Sequence, residues 1–127
     1  MNKTKKLTNK QLDKLAVDFI IFLQQHDLFY MVNIYVNNKM LTDNRMKGSE
    51  MKTTPFGSYY IINDINPKDK IEYANPETIT VTFEGPLYHF INYEGEHSLY
   101  KQLCNLFERH GLYLEQGYPW SFALYYM

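Results

Sequence analysis

The amino-acid sequence predicts an α+β fold: a single domain, 1–127, with a mainly antiparallel sheet, an N-terminal helix and two later helices packed on one face, and a closing β-hairpin at the C-terminus. Three observations lead to this prediction. The predicted strands are grouped in the sequence, whereas a doubly wound parallel sheet needs regular alternation of strands and helices. The clearest strand alternates apolar and polar residues, as in a half-exposed antiparallel sheet. The length of 127 residues leaves room for one hydrophobic core.

The first predicted element is a helix from Thr8 to Gln25, preceded by a flexible basic arm at residues 1–7. Thr8 and Gln11 have the spacing of a capping box, in which each side chain accepts a backbone N–H of the other residue. Apolar residues recur at helical spacing along this segment: Leu12, Leu15, Ala16, Phe19, Phe22 and Leu23. Because further apolar residues widen this stripe, we expect cover on more than one side, from the rest of the fold or a second copy.

The middle of the chain predicts a series of strands joined by turns. A strand over Leu28–Val36 is followed by a tight turn at Asn37–Asn38, because asparagine tolerates left-handed dihedral angles. The polar stretch 43–54 predicts an exposed loop or a charged edge strand. The other predicted strands are Lys39–Thr42, Ser58–Ile62, Lys70–Ala74 and Thr78–Glu84.

The last third predicts two helices and the closing hairpin. Pro86 suits the first turn of a short helix over Leu87–Tyr93, since its missing N–H is not needed there. Ser98 is placed to cap a longer helix that ends at His110, and Gly111 is placed to terminate it. The hairpin strands are predicted at Leu112–Glu115 and Trp120–Tyr126.

Composition and charge exclude several classes of protein. Thirteen Lys and Arg residues against fourteen Asp and Glu give a net charge of -1, so no overall field favours phosphates. The single Cys104 excludes an internal disulfide framework and a four-thiolate zinc site, and it fits a cytoplasmic location. The apolar run Val17–Leu23 is interrupted by Asp18 and is too short to cross a bilayer, so we expect a mature N-terminus and no membrane contact.

The sequence predicts no catalytic residue, no metal site and no cofactor. His26 and His110 end helices, where histidine commonly stabilises the terminus. His89 and His97 lie near three carboxylates but lack the spacing of a zinc motif. Those carboxylates are Glu84, Glu94 and Glu96. The sequence leaves open whether these groups converge in space, and it favours a protein that is not an enzyme.

The aromatic residues carry the stronger functional indication, with 12 Tyr among 127 residues. If alternate residues of the first strand face the helices, the others lie on the opposite face of the sheet, where later tyrosines join them. The resulting candidate interaction surface consists of Phe29, Met31, Tyr35, Tyr113 and Tyr125. An open sheet face with aromatics binds proteins or stacks bases, whereas a covered face makes the same residues core.

The leading hypothesis is a small cytosolic, non-enzymatic protein-binding module with an accessory, regulatory or inhibitory role. Its partner is another protein or a second copy of the chain. Nucleic acid is not the expected partner, because residues 15–127 hold 8 basic and 13 acidic residues. Two alternatives stay open: a nucleic-acid-binding protein that uses the basic N-terminal arm and exposed aromatics, and a small enzyme with a His/Glu site between Glu84 and His97.

Overall fold

A seven-stranded antiparallel sheet and three α-helices make up the described part of the chain, residues 6–94 and 97–127 of a computed structural model. The α-helices are α1 (Asn9–Gln25), α2 (Gly85–His89) and α3 (His97–Glu108). The strands are β1 (Val32–Val36), β2 (Lys39–Thr42), β3 (Glu50–Thr54), β4 (Gly57–Asn63), β5 (Ile79–Phe83), β6 (Leu112–Gln116) and β7 (Ser121–Tyr126). The predicted α+β class is confirmed, including the N-terminal helix and the closing hairpin β6–β7.

The strand order across the sheet is β3-β4-β2-β1-β5-β7-β6, so β3 and β6 are the two edges. The hairpin β1–β2 turns at Asn37 and Asn38, which have φ of 50° and 59°, as the asparagine pair predicts. The charged stretch before β4 forms a loop and then the edge strand β3, whose first four residues are exposed. Charged residues on an edge strand discourage pairing with other chains.

One face of the sheet carries the helices and the main core. The predicted capping box begins α1: the Gln11 N–H donates to Thr8 Oγ1 at 3.1 Å, and the Thr8 N–H donates to Gln11 Oε1 at 2.8 Å. Four phenylalanine rings form the centre of the core, where α1 and α3 meet β5 and β7. They are Phe19, Phe83, Phe107 and Phe122, each no more than 2% exposed.

The opposite face is crossed by the segment 64–78, called the strap, which connects β4 to β5. Because β2 and β1 lie between those strands, the strap must pass over them. It does so on the side away from the helices, where Ile71 and Ala74 pack against Tyr35 and Met40 in a second, smaller buried cluster. The strap therefore divides this face of the sheet, the strap face, into two parts.

Several predicted boundaries were wrong for identifiable reasons. The first strand begins at Val32 and not at Leu28, because Asp27 and Met31 have positive φ values of 56° and 61° that interrupt extended backbone. The predicted strand Lys70–Ala74 is a turn region of the strap, since it packs over the sheet and pairs with no strand.

The helical boundaries also differ from the prediction. The short helix begins at Gly85 and widens into a π-helical segment, Phe90–Glu94. Helix α3 begins at His97, so Ser98 lies inside it, and it ends at Glu108, two residues earlier than predicted. Gly111 follows with a φ of 79°, the left-handed conformation expected of a terminating glycine. Residues 1–5 of the predicted basic arm lie outside the described residues.

Candidate functional site

Three separated chain segments meet at the end of the sheet where β1 and β7 begin and β5 ends. The Phe83 N–H donates to the Trp120 carbonyl at 2.9 Å, and the Glu84 N–H donates to the Met31 carbonyl at 3.0 Å. These backbone hydrogen bonds hold the segments before β1, after β5 and before β7 beside one another. Side chains at this end are therefore placed by the sheet and not by free loops.

A groove of about 450 Å³ lies on the strap face at this end of the sheet and is called the strap groove. Its lining includes Tyr35 and Thr82 from the strands, Ile71 from the strap, and Met31 and Trp120 at the sheet end. Tyr35 is 5% exposed, whereas Met31 is 45% and Trp120 39% exposed. The groove thus combines a buried phenol with two accessible apolar side chains.

Trp120 belongs to a row of aromatic rings that links the two parts of the strap face. Its ring stacks on Tyr118, with centroids 4.7 Å apart and planes 5° from parallel. The Tyr118 ring also packs against Tyr73 of the strap, with ring centroids 5.5 Å apart. The Tyr118 hydroxyl donates to Glu72 Oε2 at 3.4 Å. Because Trp120 is held by this stacking, little of its conformational freedom is left to lose on binding.

The charges around the strap groove include two carboxylates and one amine: Asp43, Glu84 and Lys70. Asp43 Oδ1 accepts the Val32 N–H at 2.9 Å, which fixes that side chain at the start of β1. Within the described residues, none of the three forms an ion pair. Burial raises the pKa of Tyr35, against a smaller lowering by its hydrogen bond with Thr82, so this phenol is neutral at physiological pH.

The five residues of the predicted interaction surface do not form one patch. Met31 and Tyr35 line the strap groove, while Tyr125 lines a second groove of about 320 Å³ across the strap. Tyr113 is 40% exposed and packs against Tyr125, with ring centroids 5.9 Å apart. Phe29 packs against the helix-side core, because the positive φ of Met31 breaks the alternation that would have aligned Phe29 with Tyr35.

Sequence reasoning missed the aromatic row and the strap. Trp120 was placed among the alternating residues of the last strand, but β7 begins one residue later, at Ser121. Tyr118 and Trp120 flank Pro119 in the hairpin connection, and this pairing of rings around a proline was the signal available in the sequence. Nothing local indicated that Ile71 would cover Tyr35, since the two are far apart in the chain.

The predicted alternative of a His/Glu enzyme site falls mostly outside what the structure describes. Glu96 and the side chains of Glu94 and His97 lie outside the described residues. The exposed His89 ring lies against the rings of Tyr88 and Tyr93, and the centroids of each pair are 5.9 Å apart. Within the described residues, no group of three or more His, Cys, Asp or Glu side chains has a geometry that could hold a metal ion.

Cys104 shows the features of a half-buried structural thiol. Burial raises its pKa, and Glu108 adds to that rise, while a hydrogen bond with Tyr100 acts in the opposite direction. A thiol with a raised pKa is a poor nucleophile at neutral pH, because only the thiolate attacks.

Comparison with protein-family models, curated proteins and solved structures finds no significant match. Among the described residues, no helix combines the length and the apolar character that crossing a bilayer requires.

Proposed function

We propose that this protein is a protein-binding module with an accessory, regulatory or inhibitory role, and that the strap groove is its binding surface. One observation carries the proposal: the accessible indole of Trp120 is pre-ordered by stacking on Tyr118 at the mouth of a groove. Tryptophan and tyrosine are enriched among the residues that dominate protein-protein binding energy. Stacked rings in a short hairpin connection that is hydrogen-bonded to β5 supply that contact area with a small entropy loss.

The composition of the groove favours a protein over a nucleic acid. A surface that binds nucleic acid combines stacking rings with a track of cations along the phosphate backbone. Here Lys70 is accompanied by the carboxylates of Asp43 and Glu84, which repel phosphate. Met31 adds a flexible apolar side chain, a residue type enriched in protein interfaces.

We further propose that the protein acts in the cytosol as a binding module and not as an enzyme. The lone thiol of Cys104 is compatible with a reducing compartment, and its raised pKa opposes a nucleophilic role.

The test uses the fact that Trp120 is the only tryptophan in the chain. A partner that covers the strap groove will change the tryptophan emission of the wild-type protein. Trp120→Ala is expected to weaken binding of a partner isolated with the wild-type chain by about thirtyfold, the effect of losing a dominant aromatic contact. The matched control is Met51→Ala, a 59% exposed apolar side chain on the edge strand β3 at the far side of the sheet.

Equal affinity of wild type and Trp120→Ala for that partner would refute the assignment of the groove. Selective capture of nucleic acid, with binding that weakens steeply as salt is raised, would instead support the nucleic-acid alternative.

A further inference from the structure

The two edges of the sheet differ in how they are protected. On β3 the Lys52 ammonium lies 3.0 Å from the Glu50 carboxylate, and both side chains are exposed. On β6 the sequence is Leu112-Tyr113-Leu114-Glu115-Gln116, with one charge and no lysine or proline. Natural edge strands are commonly blunted by charges, above all by lysine, or by proline. The β6 edge has only the single charge of Glu115 and contains neither lysine nor proline.

The hydrogen-bond register shows which backbone groups of β6 point outward. The Met127 N–H donates to the Gly111 carbonyl and the Gly117 N–H donates to the Ser121 carbonyl, each at 3.0–3.1 Å. Because hydrogen-bonded pairs alternate along an antiparallel ladder, residues 113 and 115 bond to β7 while 112, 114 and 116 present their N–H and C=O groups at the outer edge. No strand among the described residues pairs with that edge.

The outward groups are arranged for pairing with an identical strand. An antiparallel second β6, related by a two-fold axis at Leu114, would place Leu112 opposite Gln116 and Leu114 opposite Leu114. All of these are outward-facing positions, so each opposed pair can exchange two backbone hydrogen bonds. The intervening pairs would be Tyr113 with Glu115 of the second copy, which brings no like charges together.

We propose that β6 is a self-association edge, at which two copies of the chain pair antiparallel about Leu114 to form one sheet across the dimer. This goes beyond the proposed function, because it concerns a different surface. The strap groove is formed at the start of β1 and β7, and Trp120 is not part of β6. The dimer would therefore present two strap grooves. Because one pair of strands has a small contact area, the association is expected to depend on concentration.

Sedimentation velocity of the full chain, from about 1 µM to about 1 mM, tests the proposal over the usual range of weak association. The wild type is expected to shift from monomer to dimer within this range. Tyr113→Glu places two carboxylates opposite each other in both intervening pairs and should raise the dimer dissociation constant by about tenfold. The side chain of Tyr113 is 40% exposed, so the substitution does not require a core rearrangement.

A charge exchange and a control make the test specific to this register. The double variant Tyr113→Glu with Glu115→Lys creates two pairs of opposite charges across the axis and is expected to restore dimerisation. The matched control Thr53→Glu adds the same charge to an exposed position of the other edge strand, β3, and should leave the wild-type equilibrium unchanged. Circular dichroism of each variant confirms that the sheet is folded.

Three results would overturn the proposal. The first is a wild-type chain that stays monomeric over the whole concentration range. The second is a dimer that Tyr113→Glu does not weaken, since that dimer must use another surface. The third is failure of the folded double variant to recover dimerisation, which would exclude this register. None of these results bears on partner binding by Trp120, which is measured separately.

Discussion

At the scale of single residues, the strap can cover the sheet because the polar side chains beneath it form hydrogen bonds that offset the cost of their burial. Tyr35 is 5% exposed beneath the strap, and it shares a hydrogen bond with Thr82 on β5. Thr78 is 1% exposed, and its hydroxyl donates to the Leu124 carbonyl. A buried hydroxyl without a partner is costly, so these bonds make the polar face of the sheet compatible with cover. Sequence alternation assigned Tyr35 to this face correctly but did not reveal its burial.

The raised pKa of Tyr35 predicts a loss of stability at high pH. The folded state holds the phenol proton more tightly than the unfolded chain, whose tyrosine pKa is near 10.0. The contribution is therefore fully present below pH 10 and is lost as pH rises from there through the higher folded-state pKa. Tyr35→Phe should show a shallower alkaline decline of the unfolding free energy than wild type, measured by urea denaturation. An identical decline in both proteins would show that Tyr35 is not the group responsible.

At the scale of elements, the sequence predicted correctly those features whose backbone conformation and hydrogen bonds depend on neighbouring residues. The capping box of α1, the asparagine turn of β1–β2 and the left-handed Gly111 all depend on neighbours within a few residues. The start of β1 and the π-helical turn after α2 were missed, because they depend on backbone conformations that no local pattern announces. The part of the strap at Lys70–Ala74 was predicted as a strand, since its apolar residues resemble one when the surface they pack against is unknown.

The capping box predicts the stability contributed by the start of α1. Thr8→Ala removes the acceptor for the Gln11 N–H and should lower the unfolding free energy by about 1 kcal/mol. Lys10→Ala is the control, because Lys10 is exposed in the same turn and forms no hydrogen bond or ion pair in the described structure. Urea denaturation followed by circular dichroism measures both variants. Equal stability of the two would contradict a capping role for Thr8.

At the scale of the whole molecule, the strap joins the two faces of the sheet into one structure. Helices α1 and α3 cover one face, and the strap closes part of the other through Ile71 and Ala74. It is also tied to the last strand, since the Asn75 side chain donates to the Leu124 carbonyl at 2.8 Å. The strap groove exists only because this segment stands above the strands beside Met31 and Trp120.

Weakening the strap is therefore expected to affect global stability and the groove together. Ile71→Ala deletes a side chain that is 4% exposed and should lower the unfolding free energy by about 2–4 kcal/mol. Hydrogen exchange should show the loss of protection first in the strap and then along β1 and β2. Ile65→Ala, a half-buried position of the same segment, is the control with a smaller expected loss. Similar losses for the two would mean that the strap is not anchored by Ile71.

The sequence alone determined the fold class, the capped first helix, most strands and the closing hairpin. Each of these follows from the spacing of apolar residues and from turn chemistry within a short window, which the linear order of residues contains. Alternation also assigned Met31 and Tyr35 to the face of the sheet away from the helices, where both line the strap groove.

The tertiary structure alone decided which aromatics are accessible and what lies beside them. The strand order made the β4–β5 connection cross the sheet, and this crossing buried Tyr35 and created the strap groove. The same strand order left β6 at an edge of the sheet. Trp120 lies just before β7 and is 39% exposed, and Phe29 packs against the helix-side core because the chain turns at Met31. These outcomes depend on contacts between residues distant in the chain, and local periodicity carries no information about such contacts.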